Sequence, residues 1–167
     1  LFIGGLLTPE EAISGFSNPA VITIALLFVL SHALQKTRIL EYLVVRINKL
    51  ISKSRILGLG VYLLTIGFAS ALINNTAIVA IMMPVTIRMA HKYHLSPSKL
   101  LIPLSYAAIL GGTLTLVGTS TNLLVNSIYL QQGAIESLGM FEFAKFGMIK
   151  LIIGLFYILL VAPKLLP

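Results

Sequence analysis

The sequence predicts an all-α integral membrane protein in which two long helical segments are broken midway, and three observations support this. Hydrophobic residues make up 57% of the 167 residues and charged residues only 10%, whereas a soluble domain carries about 25% charged residues. The mean hydropathy is +1.00. Two apolar runs are too long for one membrane crossing, and each contains polar residues near its middle. These features indicate that the lipid bilayer is part of the solvent of this chain.

The cations are clustered rather than dispersed. The net charge of +7 comes from 12 Lys and Arg against 5 acidic residues, and most of the cations lie in residues 36–55 and 88–99. Clusters between apolar segments indicate the cytoplasmic side of a membrane, and we therefore expect no nucleic-acid partner. The chain has no cysteine. We interpret His91 and His94 as solvated residues rather than transition-metal ligands, because no acidic residue lies near them in the sequence.

We interpret residues 1–167 as a single membrane domain and as a fragment of a longer protein, since the first residues are apolar and resemble the end of a span. Residues 36–55 have one apolar and one cationic face at the helical period, which is typical of a helix lying in the membrane surface. The predicted segments are a span at 19–35, a cytoplasmic amphipathic interfacial helix at 36–55, a re-entrant hairpin at 57–90, a broken span at 100–131 and a last span at 144–162.

The re-entrant hairpin follows from length and charge. As one helix, residues 56–90 would reach about 52 Å, but the hydrocarbon core is about 30 Å thick. The run is interrupted by Asn74, Asn75 and Thr76, and both of its flanks are positive. A hairpin that enters and leaves on the cytoplasmic side, with the polar residues at its tip, resolves both conflicts. Irregular backbone at that depth requires a cover of protein or a water-filled cavity.

Residues 100–131 repeat the pattern, with a break at residues 118–122 (GTSTN). A broken helix exposes carbonyl groups at one new end and N–H groups at the other. We expect half-helices ending near Ile73 and Val117 to present carbonyls to a cation, and half-helices starting near Ala77 and Asn122 to present N–H groups to an anion. Neither break contains a charged residue. The alternative is that each break is a kink repaired by Asn and Thr side chains.

At these breaks the chain resembles the divalent anion:sodium symporters of the ion transporter superfamily. Residues 70–77 (SALINNTA) resemble that family's Ser-Asn-Thr signature at a hairpin tip, and residues 111–122 (GGTLTLVGTSTN) resemble its Gly-Thr/Ser-Pro-Pro-Asn loop. The resemblance implies a fold of two inverted repeats, of which this chain is most of the first, and sodium as the coupling ion with no other cofactor. It implies sodium ligands at Ser70, Asn74, Asn75 and Gly118, and substrate ligands at Asn75, Thr76, Thr119, Ser120, Thr121 and Asn122.

The sequence departs from the family pattern in two places. Asn74 stands where the family usually has Ser, and Ser120-Thr121 replace the two prolines of the dicarboxylate branch. The Ser-Thr version resembles the sulfate-permease branch, which favours sulfate as substrate and places C4-dicarboxylates next. The resemblance thus implies sodium-coupled transport of a divalent oxyanion by alternating access.

Three alternatives stay open at this point. A proton-coupled or arsenite-type antiporter of the same superfamily tends to carry Asp near the hairpin tip, and this chain has no Asp. A membrane-embedded enzyme is disfavoured because Ser120 has no His within its own span or the hairpin. The third is a structural fragment without transport. We expect as partners the lipid bilayer, sodium, a small anion, the remaining half of the same transporter and a second copy in a homodimer, in the cytoplasmic membrane of a prokaryote.

Overall fold

A computed structural model describes residues 8–37, 42 and 54–166. Over these residues the chain is helical and contains no strand. In chain order, the elements are α1 (Pro9–Ser14), a short 3-10 helix (Gly15–Ser17), α2 (Pro19–Lys36), α3 (Arg55–Ser70), α4 (Asn75–Lys92), α5 (Ser98–Gly112), α6 (Ser120–Gln131), α7 (Ala144–Leu160) and α8 (Ala162–Leu165). The all-α class predicted from the sequence is confirmed for this part of the chain.

The predicted amphipathic helix at 36–55 lies almost wholly outside the described residues. Among the helices that the structure does describe, none is both long enough and apolar enough to cross a membrane by itself. The re-entrant character of the hairpin depends on where the bilayer lies, and it stays a prediction.

Helices α3 and α4 form a helical hairpin around a short connection. The hydroxyl of Tyr62 in α3 lies 2.6 Å from the hydroxyl of Thr86 in α4, and both residues are fully buried. Thr86 in turn donates to the carbonyl of Met82 at 2.7 Å, so the Tyr62 hydroxyl is the donor of the pair. Because residues on opposite sides of the connection meet in this way, the two helices run antiparallel.

The core lies where α5 packs against α3, α4 and α7. Its fully buried apolar side chains come from each of these helices, and they include Ile66, Met82, Leu104 and Leu151. Outside this core, α2 packs against α6 and α4. The outer face of α7 is apolar and exposed, and it carries Phe146, Ile153 and Phe156.

Two glycines allow α3 and α5 to approach closely. A Cβ atom added to Gly111 in α5 would collide with the backbone of Gly67 in α3, including its carbonyl oxygen. A Cβ added to Gly67 would instead meet a Leu151 side-chain methyl at 3.0 Å. The backbone at Gly67 cannot yield without moving α3, whereas the end of a leucine side chain can rotate. The close crossing therefore depends more on Gly111 than on Gly67.

We predict that Gly111→Ala lowers the free energy of unfolding by about 1–3 kcal/mol, the usual cost of overpacking a tight contact. Gly67→Ala should cost less, since Leu151 can move. Gly15→Ala is the matched control, because a Cβ there meets nothing within 4 Å, and such surface changes stay within about 0.5 kcal/mol. Thermal unfolding of the purified full-length protein measures all three. An equal loss for Gly111→Ala and Gly15→Ala would contradict the close crossing.

Candidate functional site

The connection between α3 and α4 is a compact turn closed by its own backbone. The N–H groups of Leu72 and Ile73 both donate to the carbonyl of Ala69, at 3.1 and 3.0 Å. Asn74 is the N-cap of α4, and its side-chain oxygen accepts from the N–H of Thr76 at 2.9 Å. This arrangement satisfies one of the N–H groups that a helix start leaves unpaired. Helix α3 thus ends at Ser70, before the expected end near Ile73.

The second break is longer than the sequence predicts. The half-helix expected to end near Val117 ends at Gly112, and α6 begins at Ser120 rather than near Asn122. The carbonyl of Leu110 accepts from both the N–H and the hydroxyl of Thr113, at 3.3 and 2.8 Å. These bonds to the i−3 residue tighten the last turn and end α5 at its glycine pair. Residues 113–119 form the unwound loop.

Thr115 joins the two breaks. Its hydroxyl donates to the carbonyl of Ala71 in the hairpin turn. The same oxygen accepts from the N–H of Gly118 at 3.0 Å, and the Thr115 carbonyl accepts from the side-chain amide of Asn122 at 2.9 Å. Thr115 is 2% exposed. One buried residue therefore holds the hairpin turn, the unwound loop and the start of α6 in one hydrogen-bonded unit.

Two glycines of the second break lie directly against the hairpin turn. A Cβ on Gly112 would collide with the side-chain amide of Asn75. A Cβ on Gly118 would lie 2.5 Å from the carbonyl oxygen of Gly112 and 3.1 Å from that of Ala71. Because the atoms near Gly118 are all backbone, a side chain there would displace the loop or the turn, and the position requires glycine. A side chain at Gly112 would instead displace the side chain of Asn75.

We call this hydrogen-bonded unit of the hairpin turn, the unwound loop and the start of α6 the junction. The four predicted sodium ligands lie in or beside it, but Asn74 and Asn75 line different cavities. The buried hydroxyl of Ser70 donates to the side-chain oxygen of Asn75 at 2.6 Å, and Gly118 is buried in the loop beside the turn. Asn74 lines a small cavity of about 10 Å³ together with Ser120. A cavity of this volume holds about one water molecule or small ion.

The predicted substrate ligands divide between two places. Asn75 and Thr76 line a pocket of about 370 Å³ between α4 and α5. Ser120 lies at the start of α6 on the side of α2, and Thr121 beside it is exposed. Thr119 is the N-cap of α6 and makes no side-chain cap hydrogen bond. Asn122 is 8% exposed, and its amide N–H is already bonded to Thr115. Their roles as substrate ligands stay predictions.

The junction offers a ligand dipoles rather than charged side chains. Neither break contains an acidic or basic residue. The start of α6 carries a partial positive charge from its first N–H groups, and Thr119 leaves those groups without a side-chain cap. Across the described residues, no group of three His, Cys, Asp or Glu side chains could hold a metal ion.

Thr115 and Ser105 are not among the site residues predicted from the sequence. Ser105 lines the pocket that contains Asn75 and Thr76. Thr115 could have been found, because polar residues inside an apolar membrane segment are usually functional or paired, and Thr113 and Thr115 alternate with leucines ahead of the predicted break. The sequence around Ser105 contains no pattern that would have predicted a site residue, since a single serine in a helix is common.

The whole chain matches one transporter family. A family model described as a citrate transporter matches residues 1–167, and the chain belongs to this citrate transporter family. The resemblance found in the sequence is confirmed at this level, since relatives of the chain include sodium/sulfate and sodium-dependent dicarboxylate transporters. The family and these relatives are transporters rather than enzymes.

Three relatives illustrate the range of similarity. An uncharacterized transporter of Synechocystis sp. is 42% identical, covering 100% of this chain and 27% of the relative. A probable sodium/sulfate cotransporter of Chlamydomonas reinhardtii is 33% identical over 99% of this chain and 19% of the relative. A sodium-dependent dicarboxylate transporter of Staphylococcus aureus is 26% identical over 80% of this chain and 28% of the relative. The chain thus spans about a quarter of the length of these relatives. No solved structure gives a significant match.

We predict that Thr115→Val lowers the free energy of unfolding by about 1–3 kcal/mol, because it leaves the buried Ala71 carbonyl and Gly118 N–H without their partner. Thr115→Ser should retain most of the stability. Thr65→Val is the matched control, since the Thr65 hydroxyl bonds only to the Val61 carbonyl of its own helix. Chemical unfolding of the purified full-length protein measures the difference. A Thr115→Val variant as stable as Thr65→Val would contradict the bridge.

Proposed function

We propose that this chain forms part of a sodium-coupled secondary transporter of a divalent oxyanion, which works by alternating access. The proposal rests on one observation, which is that Thr115 links the two helix breaks into one neutral polar junction. Broken helices that meet in this way are typical of transporter binding sites, because their ends supply both carbonyl and N–H groups. Sulfate is the favoured substrate, and a C4-dicarboxylate is next.

Sodium binding is supported by neutral oxygen atoms at the two breaks that keep unused lone pairs. The Ser70 hydroxyl donates a hydrogen bond to the side-chain oxygen of Asn75, so the lone pairs of the Ser70 oxygen are available to a cation. The side-chain oxygen of Asn74 accepts from the N–H of Thr76. The backbone of Gly118 lies beside Gly112, which in turn lies against the side-chain amide of Asn75. Neutral hydroxyl and carbonyl oxygens are suitable ligands for a hard cation.

Anion binding is supported by the donors that remain at the junction. The side-chain oxygen of Asn75 is held by Ser70, so the amide NH₂ of Asn75 is oriented away from that bond. The Thr76 hydroxyl is exposed in the pocket of about 370 Å³. We infer that sodium and anion meet at Asn75, where a cation bound through Ser70 fixes the amide that the anion contacts. This shared residue gives a direct physical route for coupling.

The substrate preference rests on two observations. Relatives with higher identity include a probable sodium/sulfate cotransporter at 33%, whereas the dicarboxylate transporter is 26% identical. Ser120 and Thr121 start α6 with two hydroxyl groups and two N–H groups, where a pair of prolines would offer none of these donors. Additional donors favour a small oxyanion of high charge density.

The proposed membrane arrangement uses the helical hairpin as a re-entrant element and this chain as most of the first of two inverted repeats. The exposed apolar face of α7 suits contact with lipid or with the remaining half of the transporter. We place the transporter as a homodimer in the cytoplasmic membrane of a prokaryote.

Single cysteines test the re-entrant hairpin. Ser54 precedes α3 and Ser96 follows α4, so a re-entrant hairpin puts both residues on the same side of the membrane. We predict that Ser54→Cys and Ser96→Cys in a cysteine-free full-length protein both react with an impermeant thiol reagent applied from the cytoplasmic side only. Reaction from opposite sides would show that the segment crosses the membrane.

Uptake in proteoliposomes tests the function. We predict that the full-length protein accumulates labelled sulfate, and labelled succinate more weakly, only with an inward sodium gradient. Asn75→Ala should abolish this uptake while the protein still inserts and assembles. Gln132→Ala, at an exposed position after α6, is the control and should transport normally. Equal flux without sodium would overturn the sodium coupling, and unchanged sodium-driven uptake in Asn75→Ala would overturn the site.

A further inference from the structure

The pocket between α4 and α5 contains a polar side chain that the proposed site does not use. Among the residues that the structure describes, the pocket is lined by Asn75, Thr76, Val79, Ala80, Met83, Ser105 and Ile109. Asn75 and Thr76 come from the start of α4, and Ser105 is contributed by the middle of α5. No charged residue is among them. An anion in this pocket would therefore depend on neutral hydroxyl and amide donors.

The hydroxyl of Ser105 lies in the middle of α5 and differs from those of three threonines that lie inside other helices. Thr23, Thr65 and Thr86 each donate to the carbonyl four residues earlier in their own helix, at 2.7 to 2.8 Å, which is the usual way for a hydroxyl in a helix to be satisfied. Within the described residues Ser105 makes no such bond and has no other hydrogen-bond partner. Ser105 is partly exposed and lines the pocket, so its hydroxyl is available to a ligand there.

We propose that Ser105 is a direct ligand of the transported oxyanion and helps to set its specificity, an inference that rests on the proposed function. Asn75 supplies an amide NH₂ whose orientation Ser70 fixes, Thr76 supplies a hydroxyl, and Ser105 supplies a third donor from a different helix. Three neutral donors from two helices can surround an oxyanion without the desolvation cost of a buried cation. Because α5 also carries Gly112, which lies against the Asn75 side chain, movement of α5 would change both contacts together.

Uptake kinetics in the full-length protein test the contact. We predict that Ser105→Ala raises the KM for sulfate about tenfold, the effect of losing one hydrogen bond to a charged group. With sulfate saturating for each variant, the sodium concentration for half-maximal uptake should stay unchanged. Ser105→Thr should restore the KM for sulfate because it keeps the hydroxyl. A change in sodium affinity with an unchanged KM for sulfate would overturn the assignment, since it would place Ser105 on the cation side.

Protection from thiol labelling gives a second readout that does not depend on uptake rate. In a cysteine-free background, Ser105→Cys should react with a small thiol reagent, and sulfate with sodium should slow that reaction. Tyr106→Cys is the matched control, because Tyr106 is the next residue but lines a separate apolar groove with Tyr157. Labelling at position 106 should be the same with and without sulfate. Equal protection at both positions would indicate a general closure and overturn direct contact.

The two hypotheses fail in different ways. If the wild-type protein takes up neither sulfate nor succinate, the proposed function and the Ser105 assignment both fail. If the wild type transports, while Ser105→Ala keeps its KM and sulfate does not protect Ser105→Cys, only the assignment of Ser105 fails.

Discussion

The hydrogen bond from the Thr115 hydroxyl to the Ala71 carbonyl is the interaction on which the site depends. It joins a turn and an unwound loop that are separated by two helices, α4 and α5, along the chain. A membrane chain cannot leave such backbone groups unpaired without a cost of several kcal/mol each. Because Thr115 donates to one break and accepts from the other, irregular backbone of both breaks can be buried with these groups paired. The remaining oxygens and N–H groups of the junction are then available for a ligand.

The glycines make this bond possible. Gly111 brings α5 against Gly67 of α3, and Gly112 and Gly118 let the loop lie against Asn75 and Ala71. The resulting junction is tight, buried and uncharged. These properties suit a site that has to release its ions in every cycle. A charged side chain would hold the ion of opposite sign too tightly and repel the other ion. A cation and an anion that bind at adjacent neutral groups instead stabilise each other.

Much of this architecture could be predicted from the sequence, and the reasons for the failures are physical. Run lengths and polar interruptions located both breaks, because a helix longer than the bilayer has to bend or stop. The exact ends could not be predicted: α5 ends at Gly112 rather than near Val117, since Thr113 bonds back to Leu110 and closes the helix early. Nor could the sequence show that the amide of Asn122 bonds to Thr115 or that Ser105 and Asn75 line one pocket, because both depend on how separate segments of the chain come together.

The central claim is that one junction binds sodium and the anion together, and thermal unfolding of the purified full-length protein tests it most directly. A ligand that binds only the folded state raises the unfolding temperature, and two coupled ligands raise each other's affinity by the same factor. The protein would be titrated with sulfate in sodium buffer and in potassium buffer of equal ionic strength. The account predicts that sulfate raises the unfolding temperature in sodium and has little effect in potassium. An equal rise in both buffers would contradict it.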